Sequence, residues 1–206
     1  MPASTAARKA ALRAELRARL AALGRDEARR AGELVAARAL ALPELAAARR
    51  ILACLSFGDE LPTGPLVDQL LAEGRELFVP RADPADGLLH VHRYPCALVT
   101  LDFGLRQPPR DAPAVAREEI DATLDAALVL GLGFDRRGFR LGHGRGYFDR
   151  FLADRQLPAI GLAFDAQVVD ALPVAPHDVP MSVVVTESRT LRREARGPVS
   201  GSRTGI

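Results

Sequence analysis

The sequence predicts one α/β domain in three layers, α/β/α, with a largely parallel central sheet and an N-terminal pair of helices packed on it. Three observations point there. Short apolar runs, continuous rather than alternating, recur between helical stretches, as strands buried on both faces of a sheet require. The 206 residues, 48% hydrophobic, 26% charged and 5% aromatic, suit a single globular domain and exclude a fibrous, collagenous or wholly disordered chain. The longest apolar run, residues 126–134, spans nine residues, far short of the roughly 20 that cross a bilayer.

Taken in order, Leu12, Leu16, Leu20 and Leu23 recur at helical spacing, so residues 5–23 read as an amphipathic helix that Gly24 ends. A second helix over 26–42 stops before Pro43. Strands follow at 51–55, 77–79, 88–91 and 127–131, with a helix at 63–72 between the first two. A helix from Tyr147, a strand at 159–163 and another at 183–186 complete the pattern. Residues 82–87, with Asp83-Pro84 and Asp86-Gly87, read as a turn, and the Pro-rich stretch 108–113 as a surface connection. The domain is expected to span 1–188. Residues 189–206, rich in Arg, Gly and Ser, hold too few apolar groups to offset their ordering entropy and are expected to be a disordered tail.

Charge narrows the partners. The formal net charge is +2, yet the tail alone carries five Arg against one Glu, leaving residues 1–188 at −2. The body therefore lacks the positive field of a general nucleic-acid binder. Neither nucleic acid nor membrane is expected as a partner, and a monomer is. Cys54 and Cys96 stand 42 positions apart in apolar surroundings with no CxxC pair, which reads as two buried thiols in a reducing compartment. The Arg-rich start has no acid before Glu15 and superficially suits an import leader, but its helical pattern runs on past leader length. A cytoplasmic protein is the expectation.

Six of the 17 glycines fall within the 16 residues 131–146, in the string GLGFDRRGFRLGHGRGYFDR. The run follows a predicted strand, whose carboxyl end is where open α/β sheets place ligands, and leads into a predicted helix. Arg140 and Arg145 flank and enter it, and Arg grips phosphate oxygens bidentately. The spacing GxGxG at Gly142, Gly144 and Gly146 is neither a Walker loop nor the dinucleotide fingerprint. A phosphate cradle is the functional reading; a long connection with turn glycines is the bland one.

Asp149, in the first turn of the following helix, suits either the helix dipole or a Mg²⁺ beside phosphate. Asp135 reads as a turn residue. Lys9, the only lysine, and Arg13 project within or beside the leucine arc of the first helix. Both should face the body, either snorkelling or aimed at a phosphate. Glu60 follows the 51–55 strand through a short loop, a placement that can meet a ligand. His143 could donate to an anion. His177-Asp178 reads either as an oriented imidazole or as a surface histidine.

These residues together resemble the 5-formyltetrahydrofolate cyclo-ligase family, also called 5,10-methenyltetrahydrofolate synthetase. The family signature looks like RLGxGxGYYD, here Arg140 through Asp149, preceded by GLGFDxxG at 131–138. Weaker pieces run in order along most of residues 8–188: K-x-x-L-R at Lys9 to Arg13, Leu55-Ser56 with Glu60, residues 74–81, Gln107-Pro108, residues 160–164, and His177-Asp178 before Thr186-Glu187. The resemblance implies conversion of 5-formyltetrahydrofolate to 5,10-methenyltetrahydrofolate, with ATP as co-substrate, Mg²⁺ as cofactor, and ADP and phosphate released. It also implies the route: phosphorylation of the formyl oxygen, then ring closure by N10. By match to the motifs, Lys9, Arg13, Arg140, Leu141, Gly142, His143, Gly144, Arg145, Gly146, Tyr147 and Phe148 would hold ATP. Leu55, Glu60 and Phe103, with His143, Gly144, Arg145, Gly146 and Tyr147, would line the folate site. Arg145, facing the transferred phosphoryl group, and Tyr147 would be catalytic, and Asp149 would hold the metal.

Three positions depart from the pattern. Phe148 stands where a second Tyr is usual, and Arg145 where Lys or Gly is. Ser182 occupies the place of an Asp associated with metal binding, so the second metal ligand is in doubt. The alternatives carried beside this reading are a sugar-phosphate isomerase or acyl-transferase-like enzyme on a similar scaffold, a non-catalytic folate- or nucleotide-binding relative, and RNA binding through the tail.

Overall fold

A computed structural model describes residues 4–153 and 155–192. Helix α1 (Thr5–Ala21) starts where Ser4 Oγ accepts the Ala7 amide at 3.2 Å, and α2 (Arg25–Leu40) starts on Asp26 and Glu27, which suit its dipole. Pro43 opens the short α3 (Pro43–Ala46). The chain then alternates: β1 (Arg50–Ala53), α4 (Gly64–Ala72), β2 (Glu76–Ala82), β3 (Leu89–Tyr94), the small hairpin β4 (Val99–Thr100) and β5 (Arg106–Gln107), then α5 (Ile120–Thr123) and β6 (Ala126–Val129). A second hairpin, β7 (Gly133–Asp135) and β8 (Arg140–Leu141), precedes α6 (Tyr147–Leu152), β9 (Ala159–Leu162), β10 (Val168–Val169), β11 (Val183–Val185) and β12 (Thr190–Arg192).

Seven strands form the central sheet in the order β12-β11-β9-β6-β1-β2-β3. The inner five are parallel, and β3 and β12 close the edges antiparallel. Successive strand residues feed two separate cores. Ile51, Ala53, Ile160, Leu162, Val183 and Val185 pack with α2, α3 and α4, whereas Leu52, Ala127, Val129 and Val184 pack with Ile120 of α5, Leu124 just after it, and Phe151 and Leu152 of α6. The sheet is thus covered on both faces, which is why its strands read as unbroken apolar runs. Among the described residues no helix is long and apolar enough to cross a membrane.

The structure departs from the sequence reading in three places. The first helix reaches the main core through Leu20, while its Leu16 packs with Leu141 and Leu172 against a small second sheet, β10-β7-β8. The glycine run is accordingly not a simple strand-to-helix loop: its first half folds into the β7–β8 hairpin. Nor does the chain leave the domain after Ser188. Thr190–Arg192 pairs with β11, with Arg189 Nε on Asp165 at 3.0 Å and Arg192 paired to Glu44, contacts that a count of apolar groups does not register. The remainder of the expected tail, 193–206, lies outside the described residues.

The small sheet sits on the large one through Phe134, fully buried, whose ring lies over Gly161 in β9. A Cβ at Gly161 would come within 2.7 Å of that ring and 3.2 Å of Val184. Gly161→Ala should therefore overpack the junction and lower stability by about 1–3 kcal/mol, read as a drop in the thermal midpoint.

Candidate functional site

The strand order reverses at β1, with β2 on one side and β6 on the other, the place where open α/β sheets bind ligands. A cleft of about 890 Å³ opens there, with Cys54 and Leu55 beyond the end of β1 and Leu130 beyond β6 on its floor. It has two unlike halves. Leu55, Phe57, Pro80, Leu89, Leu101 and Phe103 make one side apolar. Lys9, Arg13, Arg17, Arg140 and Arg145 bring cations to the cleft from α1, β8 and the glycine loop, and Arg106 of β5 adds one beside the apolar group.

The glycine loop forms part of the cationic wall. Its conformation is held from outside by its carbonyls: Arg13 Nε donates to Gly142 O at 2.9 Å, and Arg150 Nη2 to Arg145 O at 2.9 Å. Among the described residues, the N–H groups of His143 through Tyr147 find no backbone acceptor. A row of unsatisfied amides flanked by guanidinium groups is suited to an anion. Helix α6 itself has only six residues, so the exposed amides, rather than a long helix dipole, supply the attraction.

Lys9 Nζ lies 2.5 Å from Asp178 Oδ2, with both side chains largely buried. Arg140 is 8% exposed, sits over the Phe148 ring at 5.2 Å and donates to Asp149 Oδ2 at 3.3 Å, while its buried Nε has no partner among the described residues. Burial pulls the Arg140 guanidinium below its ordinary pKa, and the Asp149 carboxylate opposes that. Glu60 Oε2 accepts the Phe57 amide at 3.2 Å and Oε1 lies 3.2 Å from His143 Nε2, joining the loop after β1 to the glycine loop. Phe103, 63% exposed at the β4–β5 turn, meets Phe57 edge-on at 5.7 Å. Leu141, Gly142, Gly144, Gly146, Tyr147, Phe148 and Asp149 line the same cleft.

Ser182 does not line it. Its hydroxyl accepts from the Ala159 amide at 3.3 Å, at the opening of β9, so the position proposed for a second metal ligand serves the β9–β11 pairing instead. Asp178 is the carboxylate that comes to the cleft. The Val179 amide next to it donates to Asp149 Oδ1 at 3.3 Å, so the chain at Asp178 lies against Asp149. Asp178 was legible only as a neighbour of His177, which is 78% exposed. Arg17 was also missed, although its spacing of four from Arg13 and eight from Lys9 puts it on their face of α1. Asp135 is fully buried and accepts from the Arg137, Phe139 and Leu172 amides, a turn residue as read.

The donors fit a Mg²⁺ beside phosphate: two carboxylates on one wall offer the hard oxygen ligands that ion prefers. Among the described residues that line the cleft, the thiol is that of Cys54. Both cysteines are free and partly exposed as residues, but the Cys54 thiol, on the cleft floor, is itself enclosed, whereas that of Cys96 lies nearer the surface. Burial there pushes its thiol up to about 12, with Glu60 adding to the shift and the Leu130 backbone and Arg140 opposing it. The arrangement can bind a planar group against a polyphosphate and stabilise charge, not form a thioester.

A family model described as the 5-formyltetrahydrofolate cyclo-ligase family matches residues 5–187. The 5-formyltetrahydrofolate cyclo-ligase of Escherichia coli K12 is 33% identical over 180 residues, covering 84% of this chain and 97% of that protein. The mouse protein of the same name is 31% identical over 192 residues, 87% and 93% of the two chains. The solution structure of Aquifex aeolicus 5,10-methenyltetrahydrofolate synthetase superposes with a TM-score of 0.76 at 29% identity, covering 96% of this chain and 99% of that one.

The Cys54 thiol makes a pH-dependent prediction. A shift from 9.0 to about 12 leaves about a thousandfold less thiolate at pH 8, offset in part by the greater nucleophilicity of a weaker acid. Iodoacetamide should therefore label Cys54 in the native protein on the order of 30-fold more slowly than in the unfolded chain, and labelling should accelerate as pH rises toward 12. Mass spectrometry of timed samples reads both.

Proposed function

The chain belongs to the 5-formyltetrahydrofolate cyclo-ligase family and is an enzyme, and on that premise we propose that it uses ATP and Mg²⁺ to close 5-formyltetrahydrofolate to 5,10-methenyltetrahydrofolate. One observation carries the reading. A single cleft at the sheet's switch point joins an aromatic-rimmed apolar half to a cationic half whose loop amides are unsatisfied. A pterin ring suits the first half and a polyphosphate the second, which brings the formyl oxygen to the γ-phosphoryl group.

An N-formyl oxygen is a poor leaving group. In the proposed step that oxygen attacks the γ-phosphorus, the bond to ADP breaks, and the resulting iminium phosphate is attacked by N10. The C–O bond then breaks, phosphate departs and N10 loses its proton. Such chemistry asks the protein for alignment and charge stabilisation rather than a covalent intermediate, in keeping with a protonated Cys54. Lys9, Arg13 and Arg140 with the loop amides would hold the phosphates, and Leu55, Glu60, Phe103 and Tyr147 the folate. Asp149 and Asp178 would hold Mg²⁺, which when bound neutralises phosphate charge. The free thiols suit a reducing, cytoplasmic setting.

The test is optical: 5-formyltetrahydrofolate should yield the methenyl-folate chromophore only when Mg-ATP is present, with one ADP per turnover. Product without nucleotide, or none with it, would sink the proposal; an isomerase needs no ATP. Arg145 lines the cleft with no ion pair among the described residues. If it meets the moving phosphoryl group, Arg145→Ala should lower kcat by about 10²–10³-fold while raising KM for ATP much less. An ATP affinity loss as large as the rate loss would place Arg145 in ground-state binding instead.

A further inference from the structure

We propose that Arg150 is the positioning residue of the glycine loop, a strap that transfers the rigidity of the β2–β3 turn to the peptide between Arg145 and Gly146. The inference rests on the reading that this loop holds the phosphates of ATP.

The anchor is well fixed. In the turn, Gly87 N donates to Asp83 O at 2.9 Å and Asp83 N to Leu88 O at 3.0 Å. Asp83 is 7% exposed, holds the equally buried Arg81 at 2.6 Å, and accepts the Ala85 amide at 2.9 Å. From α6, Arg150 crosses to this turn and donates twice to Gly87 O, from Nε at 3.0 Å and Nη2 at 2.7 Å. The same Nη2 donates to Arg145 O at 2.9 Å. One guanidinium therefore joins carbonyls 58 positions apart in sequence, one in a braced turn and one in the exposed loop.

The consequence for a ligand follows from peptide planarity. In a trans peptide the N–H points opposite to its carbonyl, so fixing Arg145 O fixes the direction of the Gly146 N–H, one of the amides without a backbone acceptor. Arg13 does the same for the His143 N–H by holding Gly142 O at the other end of the loop. Gly146 also leaves the strap its path: its φ is +66°, and a Cβ there would stand 3.0 Å from Arg150 Nη1. The guanidinium lies over the Tyr147 ring at 5.4 Å, which steadies the residue that follows. Preorganised donors stabilise an anion without having to reorder when it arrives.

Arg150 is exposed, its hydrogen bonds are to loop carbonyls and its one ring contact is to the partly buried Tyr147, so its removal should spare folding. Arg150→Ala and Arg150→Lys are compared with wild type for kcat, for KM of each substrate, for Mg-ATP affinity by calorimetry without folate, and for thermal midpoint. The Ala variant should lose on the order of tenfold in Mg-ATP affinity and KM for ATP, with a smaller change in KM for folate and a midpoint within a few degrees of wild type. Lys should recover only part of this, because a single ammonium does not reproduce the fixed fork that spans two carbonyls. Unchanged Mg-ATP affinity in the Ala variant overturns the proposal while wild-type turnover leaves the functional reading standing. A fully active Lys variant overturns it too, as does an equal rise in both KM values. A wild type that neither binds nor uses Mg-ATP overturns the strap and the reading together.

Discussion

The site depends on how closely the β7–β8 hairpin lies against its neighbours. Phe134 rests on Gly161 of the central sheet, Leu16 of α1 presses on Gly133, and the Arg140 stem crosses Gly131, each at a distance where a Cβ would clash. Interiors are packed to crystal density, so these contacts leave little freedom in where β8 sits. Because β8 ends at Leu141, its placement determines where Arg140 and the glycine loop emerge over the switch point. Gln167 completes the junction from the other side, its buried amide donating to Gly131 O at 2.6 Å.

A cleft that gathers several cations has to solve an electrostatic problem before any ligand arrives. Burying a charge without a partner is costly, and the structure answers residue by residue. Lys9 has Asp178, Arg140 has Asp149 beneath an aromatic ring, and Arg13 has a carbonyl of the glycine loop. The two carboxylates that balance the cations are also the oxygen donors that would take a divalent ion. Under the proposed function, a polyphosphate would meet cations that already have partners, so the pairs keep the local charge close to balance before it binds. Arg145 and Arg17 stand outside this pairing on the rim, where water screens them and no partner is required.

The apolar half draws Pro80 and Leu89 from β2 and β3, but its aromatic rim comes from connections. Phe57 lies in the loop after β1 and Phe103 in the β4–β5 turn, and the Phe57 ring meets both the Phe103 ring and His143. The Glu60 contact to His143 then joins this rim to the glycine loop. Two halves with unlike chemistry are thus joined at one seam, which is what a substrate carrying a ring at one end and reacting with a polyphosphate at the other requires.

Much of this was present in the sequence because it is local. Apolar runs marked the parallel strands, helical leucine spacing marked α1, and the crowding of glycine with arginine marked the loop that lines the cleft. Even Lys9 and Arg13 could be aimed inward from periodicity alone. What the sequence could not express are pairings across long separations. Asp178 meets Lys9 from 169 positions away, Leu16 chooses the small sheet over the large one, and Arg192 finds Glu44 from 148 positions away and so draws the chain past Ser188 into a strand. Ser182 illustrates the reverse case: four positions from Asp178 of the cleft, it is held by Ala159 at the opening of β9 and serves the strand pairing. Periodicity decides which face of an element a residue occupies; only the packing of elements decides what that face will meet.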